Sequence, residues 1–216
     1  MSEEIIQQNS SDFGVFVYVA EFDDGVVVND VLPPIRNDAI AEANDPMLRR
    51  QRYCVWRLLD CALRETLGNG VEELTFNKDE NGKWSCDGAY FSLSHSGHAV
   101  AVAVCLSESV GVDIEYIDKN SFNSRLAERI LTKRELLIYN NVKCETQKRA
   151  IAEFWTKKET AFKRDGGKSF APSAIDTLNY PFFSNILQLS DGSYCLAVSS
   201  ANNLPVKLCR ISKFEW

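Results

Sequence analysis

Val110-Gly111-Val112-Asp113-Ile114-Glu115 is the stretch from which the fold is read. Its apolar and acidic residues alternate, and alternation with period two marks a strand. Successive strand side chains point to opposite faces, so Val112 and Ile114 face one way and Asp113 and Glu115 the other. At the rise of a strand, the two carboxylates stand about 7 Å apart along one face. Acids that close repel each other unless they face water or share a cation.

The second decisive stretch is Phe154-Trp155-Thr156-Lys157-Lys158-Glu159-Thr160-Ala161-Phe162-Lys163, which reads as an amphipathic helix. It brings a third carboxylate, Glu159, flanked by lysines. Mg²⁺ favours carboxylate, water and substrate-phosphate oxygens, and lysine is a common phosphate partner. Asp113, Glu115 and Glu159 with nearby lysines therefore compose a candidate Mg²⁺-plus-phosphate site. Alone, Glu159 and Lys163 are four apart and read as a surface ion pair worth a few tenths of a kcal/mol. Asp113 and Glu115 sit beside a core strand, and their chemistry leaves the site and structural readings evenly balanced.

Outward from these stretches, the chain divides into two segments of similar make-up, 1–108 and 109–216. In the first, Phe13–Phe22 reads as a buried strand and Val26–Val31 as a short one stopped by Pro33-Pro34. A short helix is expected near Asn37–Ala43. Asp45-Pro46 caps a long helix to Leu67 that Gly68 and Gly70 end. It carries Arg49, Arg50, Arg52, Arg57 and Arg64, a solvated basic face on the simplest reading. A strand at Leu74–Asn77 and a turn at 79–83 follow. Ala89–Leu93 is a strand running into Ser94-His95-Ser96-Gly97-His98, a loop that holds both histidines of the chain. That loop could present hydroxyl, imidazole and N–H groups to a phosphate, or be an ordinary polar hairpin loop. Ala99–Leu106 reads as a strand buried on both faces.

In the second segment, Ser121–Ile130, Thr132–Asn140 and Thr146–Lys163 read as helices, with a capping box at Thr132 and Glu135. Strands follow at Phe182–Leu189, Tyr194–Ser199 and Val206–Ile211. Each half is a long helix with about three strands, and strands clustering after helices favour an α+β fold.

The 216 residues fit one large domain or two small ones. A net charge of −6 argues against a general nucleic-acid binder. Seven cysteines without CxxC or metal-ligand spacing suit reduced, largely buried thiols in a cytoplasmic protein. The acidic, polar start lacks the features of a signal peptide, residues 1–12 are expected to be loosely attached, and no apolar run reaches the ~20 residues of a membrane span. There is no GxSxG elbow, Walker A loop or GxGxxG sequence.

Phe91-Ser92-Leu93-Ser94-His95-Ser96-Gly97, then Val110–Glu115, then Phe154–Lys163 together resemble the signature motifs of the surfactin-synthetase-type 4′-phosphopantetheinyl transferases. Gly82-Lys83 sits where that family has Gly-Lys-Pro, with Trp84 in place of the proline. Gly166-Gly167-Lys168 resembles its glycine-rich turn. The resemblance covers roughly Arg49 to Ala171. It implies a monomer built as a pseudo-dimer of two similar α+β halves, each a small mainly antiparallel sheet packed against a long helix, with coenzyme A in the cleft between them. It implies Mg²⁺-dependent transfer of the phosphopantetheine arm to a serine of an apo acyl or peptidyl carrier protein, releasing adenosine 3′,5′-bisphosphate.

On the matched positions, Asp113, Glu115 and Glu159 would hold Mg²⁺. Glu159, directly or through water, would be the base for the carrier serine. Lys158 and Lys163 would meet the pyrophosphate. Ser94, His95, Lys83 and Arg52 would bind the coenzyme's phosphates and nucleotide end, with Arg36 on the adenine side. The rim for an acidic carrier is expected at Ser121–Asn140, with Arg125, Arg129, Lys133 and Arg134. The rival readings are a non-catalytic coenzyme A or carrier binder of the same fold and a Mg²⁺-dependent nucleotide phosphohydrolase.

Overall fold

The structure, a computed structural model, describes residues 14–29, 32, 34–68, 74–211, 214 and 216. In chain order the elements are β1 Val15–Glu21, α1 Pro34–Ala41, α2 Pro46–Leu67, the hairpin β2 Phe76–Lys78 and β3 Trp84–Cys86, then β4 Tyr90–Ser96, β5 Ala99–Cys105 and β6 Val110–Tyr116. Helices α3 Ser124–Ile130, α4 Lys133–Asn140 and α5 Cys144–Asp165 follow. The chain closes with β7 Phe183–Leu189, β8 Gly192–Ser200 and β9 Val206–Ile211.

The fold is mixed α+β. One sheet has the order β4-β5-β1-β9 and the other β6-β8-β7. All pairings in the two are antiparallel except β1 with β9, which is parallel. β9 therefore lies in the 109–216 segment yet extends the first sheet.

The alternation in β5 explains the layering. Val100, Val102 and Val104 share a core with the α2 side chains Tyr53, Trp56, Leu59 and Leu63. Ala99, Ala101 and Ala103 point the other way, into a core with Val112, Ile114, Leu196 and Val198 of the second sheet. The layers thus run α2, first sheet, second sheet, α5. Small alanines let the sheets approach. Burial of each large side chain contributes about 1.5–3 kcal/mol.

Three local expectations are corrected. Val26–Asn29 is irregular rather than a strand, and residues 30 and 31 lie outside the described residues. The short helix starts at Pro34, because proline suits the first helical turn. Ser94, His95 and Ser96 are strand, not loop: they pair in register with Ala101, Val100 and Ala99 of β5, and only Gly97-His98 turns. The first twelve residues, Pro33 and Gly70 lie outside the described residues. Among the described residues, no helix is long and apolar enough to cross a membrane.

Candidate metal and phosphate site

β6 places Val112 and Ile114 in the inter-sheet core and turns Gly111, Asp113 and Glu115 toward α5. The glycine makes this possible. A Cβ on Gly111 would lie 2.1 Å from the Thr160 carbonyl oxygen and 2.8 Å from the Arg164 nitrogen, so the α5 backbone rests directly on the strand there. That close approach brings Glu159 over the β6 acids. Ligand oxygens of Asp113, Glu115 and Glu159 all lie within 4.8 Å of one another.

Each acid has its own partners. Asp113 is buried, and its Oδ1 accepts from Lys163 Nζ and from Ser94 Oγ, both at 2.6 Å. Among the described residues its buried Oδ2 has no hydrogen-bond partner. Glu115 accepts from Trp155 Nε1 at 3.0 Å, from Ser96 Oγ at 2.8 Å and from Lys119 Nζ. Glu159 is partly exposed and lies 3.5 Å from Lys163 Nζ.

Burial sets the proton chemistry. It lifts Asp113 from 3.8 to about 7 against the pull of Lys163. It also lifts Glu115, helped by the charge of Asp113. Burial works against the Lys163 charge, but Asp113 and Glu159 outweigh it and hold the ammonium above the usual lysine value. The residues fit a hard divalent cation: three clustered carboxylates, charge that burial leaves undercompensated, and one buried oxygen facing no donor.

The remaining expected residues divide. His95 lies close enough to Lys163 and Arg52 to feel both charges. Burial, then those charges, lowers its pKa to about 4, so the ring is neutral at pH 7, and among the described residues its buried Nδ1 has no partner. Lys83 donates to Ser109 Oγ at 2.5 Å and to the Arg164 carbonyl at 2.8 Å, which fastens the β2–β3 hairpin to the end of α5. Burial lowers its pKa. Beside it opens a cleft of about 190 Å³ lined by Lys83, Trp84, Leu93, Phe162, Lys163 and Gly166. Arg52 donates to the Ala39 carbonyl at 2.6 Å.

Two assignments are corrected. Lys158 does not face the acids. One residue before Glu159 on a helix is a turn of about 100°, and its fully buried ammonium pairs with Glu135 at 2.6 Å and with the Ile175 carbonyl. Arg36 is buried, paired with Asp60 at 2.6 Å and stacked 4.3 Å over the Phe76 ring, so it is part of the core. Of the rim residues, Arg125, Arg129, Lys133 and Arg134 are all exposed, and Arg134 bonds to Asp176 and Asn179.

Sequence reasoning missed Ser96, Trp155 and Lys119 as partners of Glu115, and the role of Gly111. Only the glycine carried a local signal, since glycine inside a strand pattern marks close backbone approach.

Residues 109–207 match the profile of the 4′-phosphopantetheinyl transferase superfamily, and this stretch contains every carboxylate of the site. The chain is similar to the 4′-phosphopantetheinyl transferase HetI of Nostoc sp. strain PCC 7120, with 28% identity over 151 residues, covering 64% of this chain and 62% of that protein. It is also similar to the 4′-phosphopantetheinyl transferases AcpT of Salmonella typhi and of Escherichia coli K12. Identity there is 31% and 30% over 88 residues, covering 41% of this chain and 46% and 45% of theirs. The matches thus span less than two thirds of each relative's length.

Proposed function

We propose that this protein is a 4′-phosphopantetheinyl transferase of the surfactin-synthetase type. It moves the phosphopantetheine arm of coenzyme A to a serine hydroxyl of an apo acyl or peptidyl carrier protein and releases adenosine 3′,5′-bisphosphate. The observation that carries this reading is the clustering of Asp113, Glu115 and Glu159 with Lys163, inside the stretch similar to the superfamily. A protein that only bound coenzyme A would need phosphate partners but not three converging carboxylates.

Asp113, Glu115 and Glu159 would hold a Mg²⁺ ion, which would supply charge neutralisation at the pyrophosphate. Phosphoryl transfer depends mainly on positioning and charge neutralisation. Lys163 supplies a second positive charge at the pyrophosphate, from the spot where it now contacts Asp113 and Ser94. The carrier serine oxygen bonds to the phosphorus next to pantetheine, the bond from that phosphorus to the nucleotide breaks, and Glu159 receives the serine proton. The neutral His95 ring, with Arg52 nearby, and Lys83 at the edge of the cleft bind the nucleotide end and its phosphate.

The two helix-on-sheet layers support the reading of two similar halves, with β9 contributed across to the first. A cytoplasmic monomer acting on carriers through the exposed face of α3 and α4 completes the proposal.

The test is intact-protein mass spectrometry of an apo acyl carrier and an apo peptidyl carrier, each incubated with this protein, coenzyme A and Mg²⁺. A gain of one phosphopantetheine on either is expected, and the relative rates name the preferred class. Release of phosphate from coenzyme A with no gain on any carrier would indicate a phosphohydrolase instead.

A further inference from the structure

The two sheets meet along β4 and β6 through side chains. Ser92, Ser94 and Ser96 are alternate residues of β4, all buried, and they share one face of the strand. Their hydroxyl oxygens accept the backbone N–H groups of Val112, Ile114 and Tyr116 at 3.1, 3.2 and 3.0 Å. β6 is an edge strand of its sheet, and these hydroxyls take the place of a neighbouring strand.

The register has a chemical consequence. A serine hydroxyl has one proton to give. Because the β6 N–H already points at each oxygen, that proton must go elsewhere. Ser94 gives it to Asp113 and Ser96 to Glu115, in each case the residue just before the N–H donor. At the third rung the preceding residue is Gly111, which has no side chain to receive the Ser92 proton. The rail therefore acts on two carboxylates and contains its own control.

We propose that Ser96 is a positioning residue of the metal site, fixing Glu115 Oε2 so that Glu115 and Asp113 meet a divalent cation together, while Ser92 only seals the strand edge. The proposal rests on the reading of the acid cluster as a metal site. The Ser96 hydroxyl is committed to Tyr116 N–H and to Glu115, so it is not itself offered as a ligand. It acts through Glu115, as outer hydrogen-bonding partners act through metal ligands.

The experiment is direct Mn²⁺ binding by electron paramagnetic resonance, with and without coenzyme A, on wild type, Ser96→Ala, Ser96→Cys and Ser92→Ala, each with a thermal melt. Ser96→Ala should weaken Mn²⁺ binding about tenfold or more. Ser92→Ala should leave it unchanged, although each variant leaves one β6 N–H without its serine acceptor and should melt lower than wild type. Ser96→Cys keeps the side-chain shape with a somewhat larger atom and offers only a weak donor, so it should also weaken Mn²⁺ binding in a folded protein, even if the alanine variant fails to fold. Wild-type Mn²⁺ affinity in the Ser96 variants, or an equal loss in Ser92→Ala, would overturn the proposal and leave the metal site standing. Failure of the wild type to bind Mn²⁺ in either condition would overturn the metal reading itself.

Discussion

Helices α2 and α5 are both 22 residues long and each covers one sheet, but they are buried in opposite ways. α2 buries Tyr53, Cys54, Val55, Trp56, Leu58, Leu59, Ala62 and Leu63, a nearly unbroken apolar stripe. α5 buries Thr156, Lys158, Thr160 and Arg164 beside only three apolar residues. Each of its buried polar groups has a specific partner. Thr156 bonds back to the Ala152 carbonyl of the same helix, while the bonds to other elements are Lys158 to Glu135, Thr160 to the Ala197 carbonyl and Arg164 to Ser199. Apolar burial holds a helix down but is tolerant of small shifts. Directional bonds fix rotation and height, which is what a helix carrying Glu159 and Lys163 needs.

The largest expected effect separates the helices by function. Glu159→Ala or Asp113→Ala should reduce transfer at least about a thousandfold, the several kcal/mol that a bound metal supplies, with thermal unfolding close to wild type. Leu59→Ala in α2 should do the reverse, with activity per folded molecule retained. Normal turnover by either purified acid variant would remove that residue from the mechanism.

The next effect is on stability. Lys158→Ala should cost about 3–5 kcal/mol by leaving Glu135 buried without its cation, read from denaturant unfolding. If Lys158 instead served substrate, the variant would unfold normally and lose affinity for coenzyme A. Leu59→Ala should cost about 2–5 kcal/mol through the cavity it leaves. Replacing Lys158 and Glu135 together by Met and Leu should not recover the first loss, because Glu135 also accepts from Thr132 N–H, Thr177 N–H and Thr177 Oγ, which would be left unpaired.

The smallest effect is a pH dependence confined to the α5 side. Burial raises Asp113 from 3.8 to about 7 and also raises Glu115, so the folded protein binds these protons more readily than the unfolded chain. Without metal, their contribution to stability is full below the ordinary carboxylate value and is lost as pH rises toward about 7. Mg²⁺ needs the deprotonated carboxylates, so the rise in melting temperature on adding Mg²⁺ should grow from pH 5 to pH 8. Asp113→Asn should flatten that trend, whereas Leu59→Ala should leave it intact. A Mg²⁺ shift independent of pH would contradict the burial argument.

The same contrast explains what the sequence made legible. The α2 stripe repeats with helical period and its ends carry local signals, Asp45 with Pro46 at one and Gly68 at the other, so its bounds were readable. The acids of β6 were readable because alternation fixes which side chains share a face. Lys158 was misplaced because its partner Glu135 is 23 residues away, and a sequence shows the lysine without the carboxylate that buries it. Arg36 was misplaced for the same reason, its partner Asp60 being 24 residues on. Ser92 falls in the expected strand, but Ser94 and Ser96 read as loop from the sequence because polar residues in a strand usually face water. Here they face the edge of a second sheet, which no local pattern reveals.

The central claim is that the carboxylate cluster supports metal-dependent transfer. Its most direct test is to strip the protein with excess EDTA, incubate it with coenzyme A and an apo carrier, and weigh the carrier before and after Mg²⁺ is added beyond the chelator. No gain in EDTA and one phosphopantetheine per carrier after Mg²⁺ is the predicted result. Full conversion of the carrier in excess EDTA would contradict it.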